Sequence, residues 1–503
     1  MPTEAHLTSA PLDAAPGVSS LSSRRGIAIL LLLSLVQFMD ILDASILNIA
    51  LPSIKHDLGF SQQSLQWVVD GYILTYGGFL LLGARMADLL GRRSVLVTGL
   101  VVFAGSSLAG GLAHSSSLLV GARFAQGLGA AMLSPAALSS LTTTFRSGRD
   151  RNTALGVWGA VSGLGGAAGV LFGGLLTEGP GWRWVLFVNV PLSAIAFVGA
   201  FALLKHERVR ARLANFDALG AILVTGGMLL LVYALVKAPD VGWGTTRTIA
   251  ELAGAAILLT AFVVNELRVA NPLVPLSILR VRGVAFADAT QLVAVGGFVP
   301  MFFFLTLYMQ TVLHFSPIQT GLAYLPLTGG FIISSGIASQ LFGRIGTKPV
   351  IVAGAVIMAG GLYWLSRIGV DGSYTADILP GLLIVSFGGG GVFVGATTAA
   401  NAGVDEDKAG LAAGLLNTGQ QVGTALGLAI LSALATAHTT SLLSTGHHTV
   451  AEAATQGYAR ALLAGAVIVL AGAAIALLAP NTRQTAPAVE DVQAEEPALD
   501  LAA

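Results

Sequence analysis

The chain has no cysteine anywhere in its 503 residues. That excludes disulfides, thiolate metal sites and cysteine nucleophiles. Charge is nearly as scarce. Asp, Glu, Lys and Arg make up 10% of the chain, against about 25% in a soluble globular domain. The deficit runs the whole length, so it indicates many membrane spans and not one anchor. Acidic and basic residues balance at 26 each, leaving no net field to attract a nucleic acid. No G-x-x-x-x-G-K-[ST] loop is present to cradle ATP, which argues against an ATP-driven pump. No nucleophile–base pair supports an enzyme, and His438, His447 and His448 are too irregularly spaced for a metal site. The sequence therefore predicts neither a metal nor a cofactor.

What the chain does have is apolar length and glycine. It is 54% hydrophobic with 63 glycines, small residues that let helix backbones approach closely in lipid. Residues 1–23 are rich in Ala, Pro and Ser and read as a disordered tail. They lack the charged region, apolar run and cleavage site of a signal peptide, and the first apolar run, from Ile27, reads as a retained span. Runs of about 20 apolar residues then recur, at roughly 27–49, 65–83, 94–113, 118–141, 153–176, 184–204, 217–236, 249–267, 285–311, 319–341, 349–367, 377–398, 409–437 and 459–479. The fold class predicted is all-α integral membrane with about fourteen transmembrane helices. If the amino terminus is cytoplasmic, only Lys55, Arg183, Lys237, Arg247, Arg367 and Arg460 fall in outer breaks and Arg123 within a span. Every other Lys and Arg is then inside, so the positive-inside rule places both termini in the cytoplasm.

Gly83–Arg93 joins the second and third spans, and Gly343–Lys348 the tenth and eleventh. This weak repeat divides the chain into a six-helix bundle (24–205), two inserted helices with linkers (206–280), a second six-helix bundle (281–480) and an acidic disordered tail (481–503). Repeats of this kind bind substrate at the midplane between halves.

The first span holds two carboxylates, Asp40 and Asp43, one turn apart on nearly one helix face. An ionisable group there costs about 2.5–3.5 kcal/mol on insertion scales, so it normally marks a pathway or proton site. Ala50-Leu51-Pro52 is read as the end of that helix. Arg123, alone in the fourth span, needs a carboxylate or several carbonyls, and Asp43 and Asp70 are the candidates. Asp70 stands beside Trp67 and Tyr72, a combination suited to an organic cation through charge and cation–π attraction. Asp88, Gly91, Arg92 and Arg93 make a charged turn, in which Asp88 can accept from Arg92. Gly165, Gly169, Gly173 and Gly174 form a small-residue groove in the fifth span. Asn417, Gln420 and Gln421 are uncharged polar residues in the thirteenth, while Asp288 and Glu266 fall near helix ends and read as structural.

These motifs, in this order, resemble the major facilitator superfamily, and within it the fourteen-helix drug:proton antiporters. The resemblance runs from about Ile27 to Leu478. It includes Trp182-Arg183-Trp184, Phe187-Val188-Asn189-Val190-Pro191, and Tyr308-Met309-Gln310 followed by Phe315-Ser316-Pro317. It departs from the family where Ala84 replaces glycine, Met86 leucine, Leu89 a basic residue and Val170 the proline of the glycine-rich antiporter motif. The resemblance implies that Asp43, Arg123 and Asp40 couple protons, and that the Asp88–Arg93 turn latches the outward-open state. It also implies that Asp70, Trp67, Tyr72, Asn417, Gln421 and Gln310 meet the cargo. A buried acid favours its neutral form, so proton and cationic drug would compete for it. The expected function is proton-coupled efflux of a drug or antibiotic from a bacterial cell membrane by a monomer, with lipid, cargo and H+ its only partners. The same fold exporting a siderophore or other metabolite is the alternative.

Overall fold

The computed structural model describes residues 21, 23–145, 149–205, 217–270, 272–273, 276–402, 404 and 409–482. The tails, the 206–216 linker and the Asp88 side chain lie outside the described residues. The described chain is helical: α1 (Arg24–Leu58), α2 (Gln62–Leu65), α3 (Trp67–Leu90), α4 (Arg92–Gly111), α5 (Ser116–Thr144), α6 (Arg149–Glu178), α7 (Trp184–Phe187), α8 (Asn189–Leu203), α9 (Ala218–Val241), α10 (Thr246–Arg268), α11 (Arg282–Phe298), α12 (Pro300–Leu307), α13 (Pro317–Ala323), α14 (Leu325–Ile345), α15 (Thr347–Leu365), α16 (Leu379–Asn401), α17 (Ala409–Ser444) and α18 (Val450–Leu478). Two π-turns, Tyr308–Val312 and Tyr374–Ile378, extend α12 and precede α16.

Twelve segments of the described chain are long and apolar enough to cross a membrane. Their outer faces suit lipid: Ile222, Ile257 and Ile332 are exposed, which costs nothing where the solvent is hydrocarbon. Helix ends are closed by side chains, as where Ser23, Ser115, Thr245 and Thr449 each accept a backbone N–H. Pro52 does not stop the first helix, contrary to the sequence reading. The helix runs on to Leu58 and ends at Gly59 in the left-handed conformation, φ 67°. A proline inside a membrane helix is tolerated where neighbours and polar side chains compensate the lost bond.

Helices α1 and α3–α8 pack on one another, and so do α11–α18, while α9 pairs with α10 and itself rests on α3 and α17. The two groups meet along α3–α17 and α6–α13, with α1 also touching α12 and α13. At the end carrying Glu178 and Pro317 this meeting is tight. Gln310 donates to the Ile49 carbonyl at 2.9 Å, and the Ile318 amide donates to Glu178 at 3.1 Å. A side chain on Gly321 would collide with the Val170 carbonyl, and one on Gly174 would press on Pro317 and Ile318. We call this the sealed end.

Candidate functional site: a buried charge network in one half

Asp43 and Arg123 form an ion pair of 2.7 Å, with side chains 0% and 2% exposed. Five helices, α1, α3, α4, α5 and α8, converge to build their cage. Arg123, on α5, also donates through Nε to the Val68 carbonyl of α3 and through Nη1 to Gln126. The second Asp43 oxygen accepts from Gln126 at 2.8 Å and from Asn189 of α8 at 2.6 Å. Gln126 and Asn189 both donate to Ser107 of α4, which itself donates to the Leu186 carbonyl. Both oxygens of this carboxylate are thus engaged, one of them by a cation. A buried pair is stable only with such complete satisfaction, because desolvation otherwise outweighs attraction.

Asp40, one turn earlier, has different company. It is 2% exposed and accepts from the hydroxyls of Tyr72 at 2.8 Å and Tyr76 at 2.6 Å. The Arg123 guanidinium lies 4.2 Å over the Tyr72 ring, so Tyr72 separates the cation from Asp40 while touching both.

The other predicted residues are placed as follows. Asp70 is fully buried with no partner for either oxygen among the described residues. Trp67 stacks on Phe124 at 6.0 Å and lies 6.3 Å from Tyr233 of α9, so its ring packs between α5 and the inserted pair. Gln421 lies on the α3–α17 contact, its Cβ 2.8 Å from where one would stand on Gly77. Gln310 belongs to the sealed end. Gly165, Gly169 and Gly173 face α1, where a methyl on each would press on the Phe38, Leu42 or Ile46 carbonyl. The glycine groove therefore seats the very helix that carries both aspartates. Gly91 turns with φ 90°, Arg92 donates to Thr143 and Arg93 to the Leu204 carbonyl. Both arginines hold their own half.

Sequence reasoning assigned no role to Tyr76, Gln126, Asn189 or Ser107. The spacing Tyr72/Tyr76 and Arg123/Gln126 was a usable signal, since residues three or four apart share a helix face. Nothing local could bring in Asn189 or Ser107. In the second half, Asp288 is not a helix-end residue: it lies inside α11, and neither it nor the fully buried Gln291 has a partner for its side-chain polar atoms among the described residues. A cavity of about 480 Å³ at the sealed end, lined by Lys55, Phe303, Phe304, Thr436, Tyr458 and others, contains none of the predicted residues. Among the described residues no cluster could hold a metal.

A bundle of apolar helices in two packed groups, with a caged ion pair deep inside one, is the architecture of a membrane transporter. The Major Facilitator Superfamily pattern matches residues 33–428, and the chain belongs to that family. It is a multi-pass transporter of the bacterial inner membrane and not an enzyme. It is 39% identical over 460 residues to the puromycin resistance protein pur8 of Streptomyces alboniger, covering 90% of each chain. It is 40% identical over 405 residues to the cephamycin export protein CmcT of Amycolatopsis lactamdurans, covering 80% of this chain and 83% of that one. Among solved structures it is similar to a bacterial homologue of the human lysosomal transporter Spinster, with a TM-score of 0.62 at 16% identity, covering 91% and 97%. It is also similar to the xylose transporter XylE of E. coli, with a TM-score of 0.60 at 13% identity, covering 92% and 98%.

Proposed function

We propose that the protein expels a drug or antibiotic in exchange for protons and thereby confers resistance. The observation that carries this reading is the pair of buried carboxylates on α1, one caged by Arg123 and one by two tyrosines. Ion pairs deep in a bundle are costly and are kept where charge must move. The cargo class comes from the relatives, whose names include puromycin resistance, cephamycin export, and tetracenomycin C resistance and export. Asp43, Arg123 and Asp40 couple the proton. Asp70, Tyr72, Asn417 and Gln421 belong to the cargo path, with Trp67 and Gln310 at its edges. The Asp88–Arg93 turn is the latch.

In this reading the chain crosses the membrane fourteen times, α3 and α5 being the two further spans, and both termini are cytoplasmic. The halves are 24–205 and 281–480, with 206–280 inserted between them, and the protein works as a monomer. The sealed end then faces outward. Lys and Arg crowd the opposite end, as the positive-inside rule requires.

Cells expressing the protein, loaded with ethidium and challenged with an antibiotic panel that includes puromycin, test this. Efflux and resistance are expected, and a protonophore is expected to abolish the efflux. Efflux that survives collapse of the proton gradient would overturn the coupling. Resistance to no antibiotic would overturn the cargo class.

A further inference from the structure

The cavity at the sealed end takes no part in the charge network, and its wall has a chemistry of its own. Its volume, about 480 Å³, falls in the range of ligand pockets, roughly 300–1,000 Å³. Helix α12, its π-turn, α17 and α18 supply every lining residue but one. The exception is Lys55 of α1, a residue of the first half in a chamber otherwise built by the second. Lys55 is also the only charged residue of the lining, so the wall holds a cation and no acid. An ammonium has three donors, and a contact within the protein leaves others for a ligand. The rest of the wall sorts into rings and hydroxyls. Phe304 lies 5.3 Å from Phe303 and 6.1 Å from Tyr458, which makes one flank aromatic. Thr311 and Thr439 already donate to the Leu307 and Ala453 carbonyls. Ser432 is different: it is 6% exposed, and its hydroxyl has no partner among the described residues. A buried hydroxyl left unpaired is costly, and a ligand oxygen at the wall would satisfy it. Val450, 73% exposed, marks the mouth.

We propose that this cavity is a second ligand site, built for a small amphiphilic anion, and that its occupant holds the sealed end shut. The apolar part of the ligand lies against Phe303, Phe304 and Tyr458. Its sulfonate, carboxylate or phosphate group meets Lys55, with the Ser432 hydroxyl as a further donor. A cation beside apolar walls attracts an anion more strongly than it would in open water, because the local dielectric is low. The site is chemically unlike the proposed cargo path, which offers carboxylate and amides at Asp70, Asn417 and Gln421. The clamp follows from where the walls come from. An anion on Lys55 ties α1 of the first half to α12, α17 and α18 of the second. It therefore binds better while the halves meet here than when they part, and a ligand favours the state it binds better. The clamp rests on the exchange reading above, in which this end opens outward; binding does not.

Two matched probes test the site: 2-naphthalenesulfonate, a permanent anion, and 2-naphthalenesulfonamide, which keeps the ring and loses the charge. In calorimetric titration of the full-length protein in phosphatidylcholine nanodiscs, the sulfonate is expected to bind about tenfold or more tightly than the sulfonamide. Lys55→Gln should remove that preference and Lys55→Arg should keep it. Ala454→Phe, which fills the chamber, should abolish binding of both. Equal binding of the two probes by the parent, or a preference that survives Lys55→Gln, would overturn the site. The parent's choice between the probes decides even where a variant fails to fold. Native mass spectrometry separates the two sources of such an anion. A phospholipid retained by the parent and lost in Lys55→Gln makes a lipid headgroup the natural occupant; no difference makes it a soluble anion. Added outside ethidium-loaded cells, the sulfonate should slow efflux by the parent about fivefold or more and spare Lys55→Gln. Binding without slowing would overturn the clamp alone. A parent that exports nothing would overturn the exchange reading and the clamp with it, while the nanodisc comparison still decides the site.

Discussion

The two halves of this transporter both pack glycine against backbone, yet they differ in what fills their centres. The first, built from α1 and α3–α8, is held at its centre by charge: Asp43, Arg123, Gln126, Asn189 and Ser107 in one network, Asp40, Tyr72 and Tyr76 in another. The second, built from α11–α18, is held by backbone proximity and aromatic rings. A side chain on Gly427 would collide with the Gly296 carbonyl, and one on Gly423 with the Leu292 carbonyl. Phe298 lies 5.7 Å from Phe302, 6.0 Å from Phe331 and 5.8 Å from Phe393. Among its buried polar groups, Ser334 donates to the Ser386 carbonyl and Thr306 meets the Tyr324 hydroxyl, while Asp288 and Gln291 have no partner among the described residues. In the proposed exchange, the difference divides the labour. A half that holds fixed charges can store and release a proton. A half lined by rings and uncharged amides can accept apolar cargo of varied shape, since rings offer contact area without demanding particular donors.

The comparison breaks most severely at Asp43. In Asp43→Asn the Arg123 charge is left buried without a counter-ion, and removing one partner of such a pair costs about 3–5 kcal/mol. Loss of transport together with a clear drop in thermal stability in detergent is expected. The double variant Asp43→Asn/Arg123→Gln should recover most of the stability and none of the transport. Recovery of both would mean that the network serves only packing. An intermediate effect is expected at the second half's own centre. Gly427→Val places branched carbon against the Gly296 backbone and should cost at least about 1–3 kcal/mol by overpacking. Its yield and melting temperature should fall, and efflux by whatever folds should still be abolished by a protonophore. The smallest effect is expected at the rim. Asp57 pairs with Arg183 at 2.7 Å and accepts from Trp182 at 2.9 Å, but both side chains of the pair are well exposed. Such pairs contribute about 0–1 kcal/mol, so Asp57→Asn should leave efflux within about twofold and shift the melting temperature only slightly. A large loss there would show that charge at the sealed end does more than tidy a loop.

Hydrophobic runs and glycine content made the helices legible, and the boundaries of α9 and α10 fell within a few residues of expectation. Pro52 misled because its cost is local while its compensation comes from packing. Asp43 and Arg123 were legible as partners because a lone buried cation has few choices. Asp70 was legible only as a buried acid; Arg123 turned to Asp43 and left it without a partner among the described residues.

The order of residues alone determined that this chain lives in a bilayer, as many helices, with ionisable groups too costly to be there idly; each of these follows from composition and spacing along one strand of chain. Only the fold decided which carboxylate received the arginine, which received the tyrosines, and which helices of the two halves meet. Those choices depend on residues from 32 positions apart, as Asp40 and Tyr72, to 146 apart, as Asp43 and Asn189, meeting at one point, and no local pattern encodes that meeting.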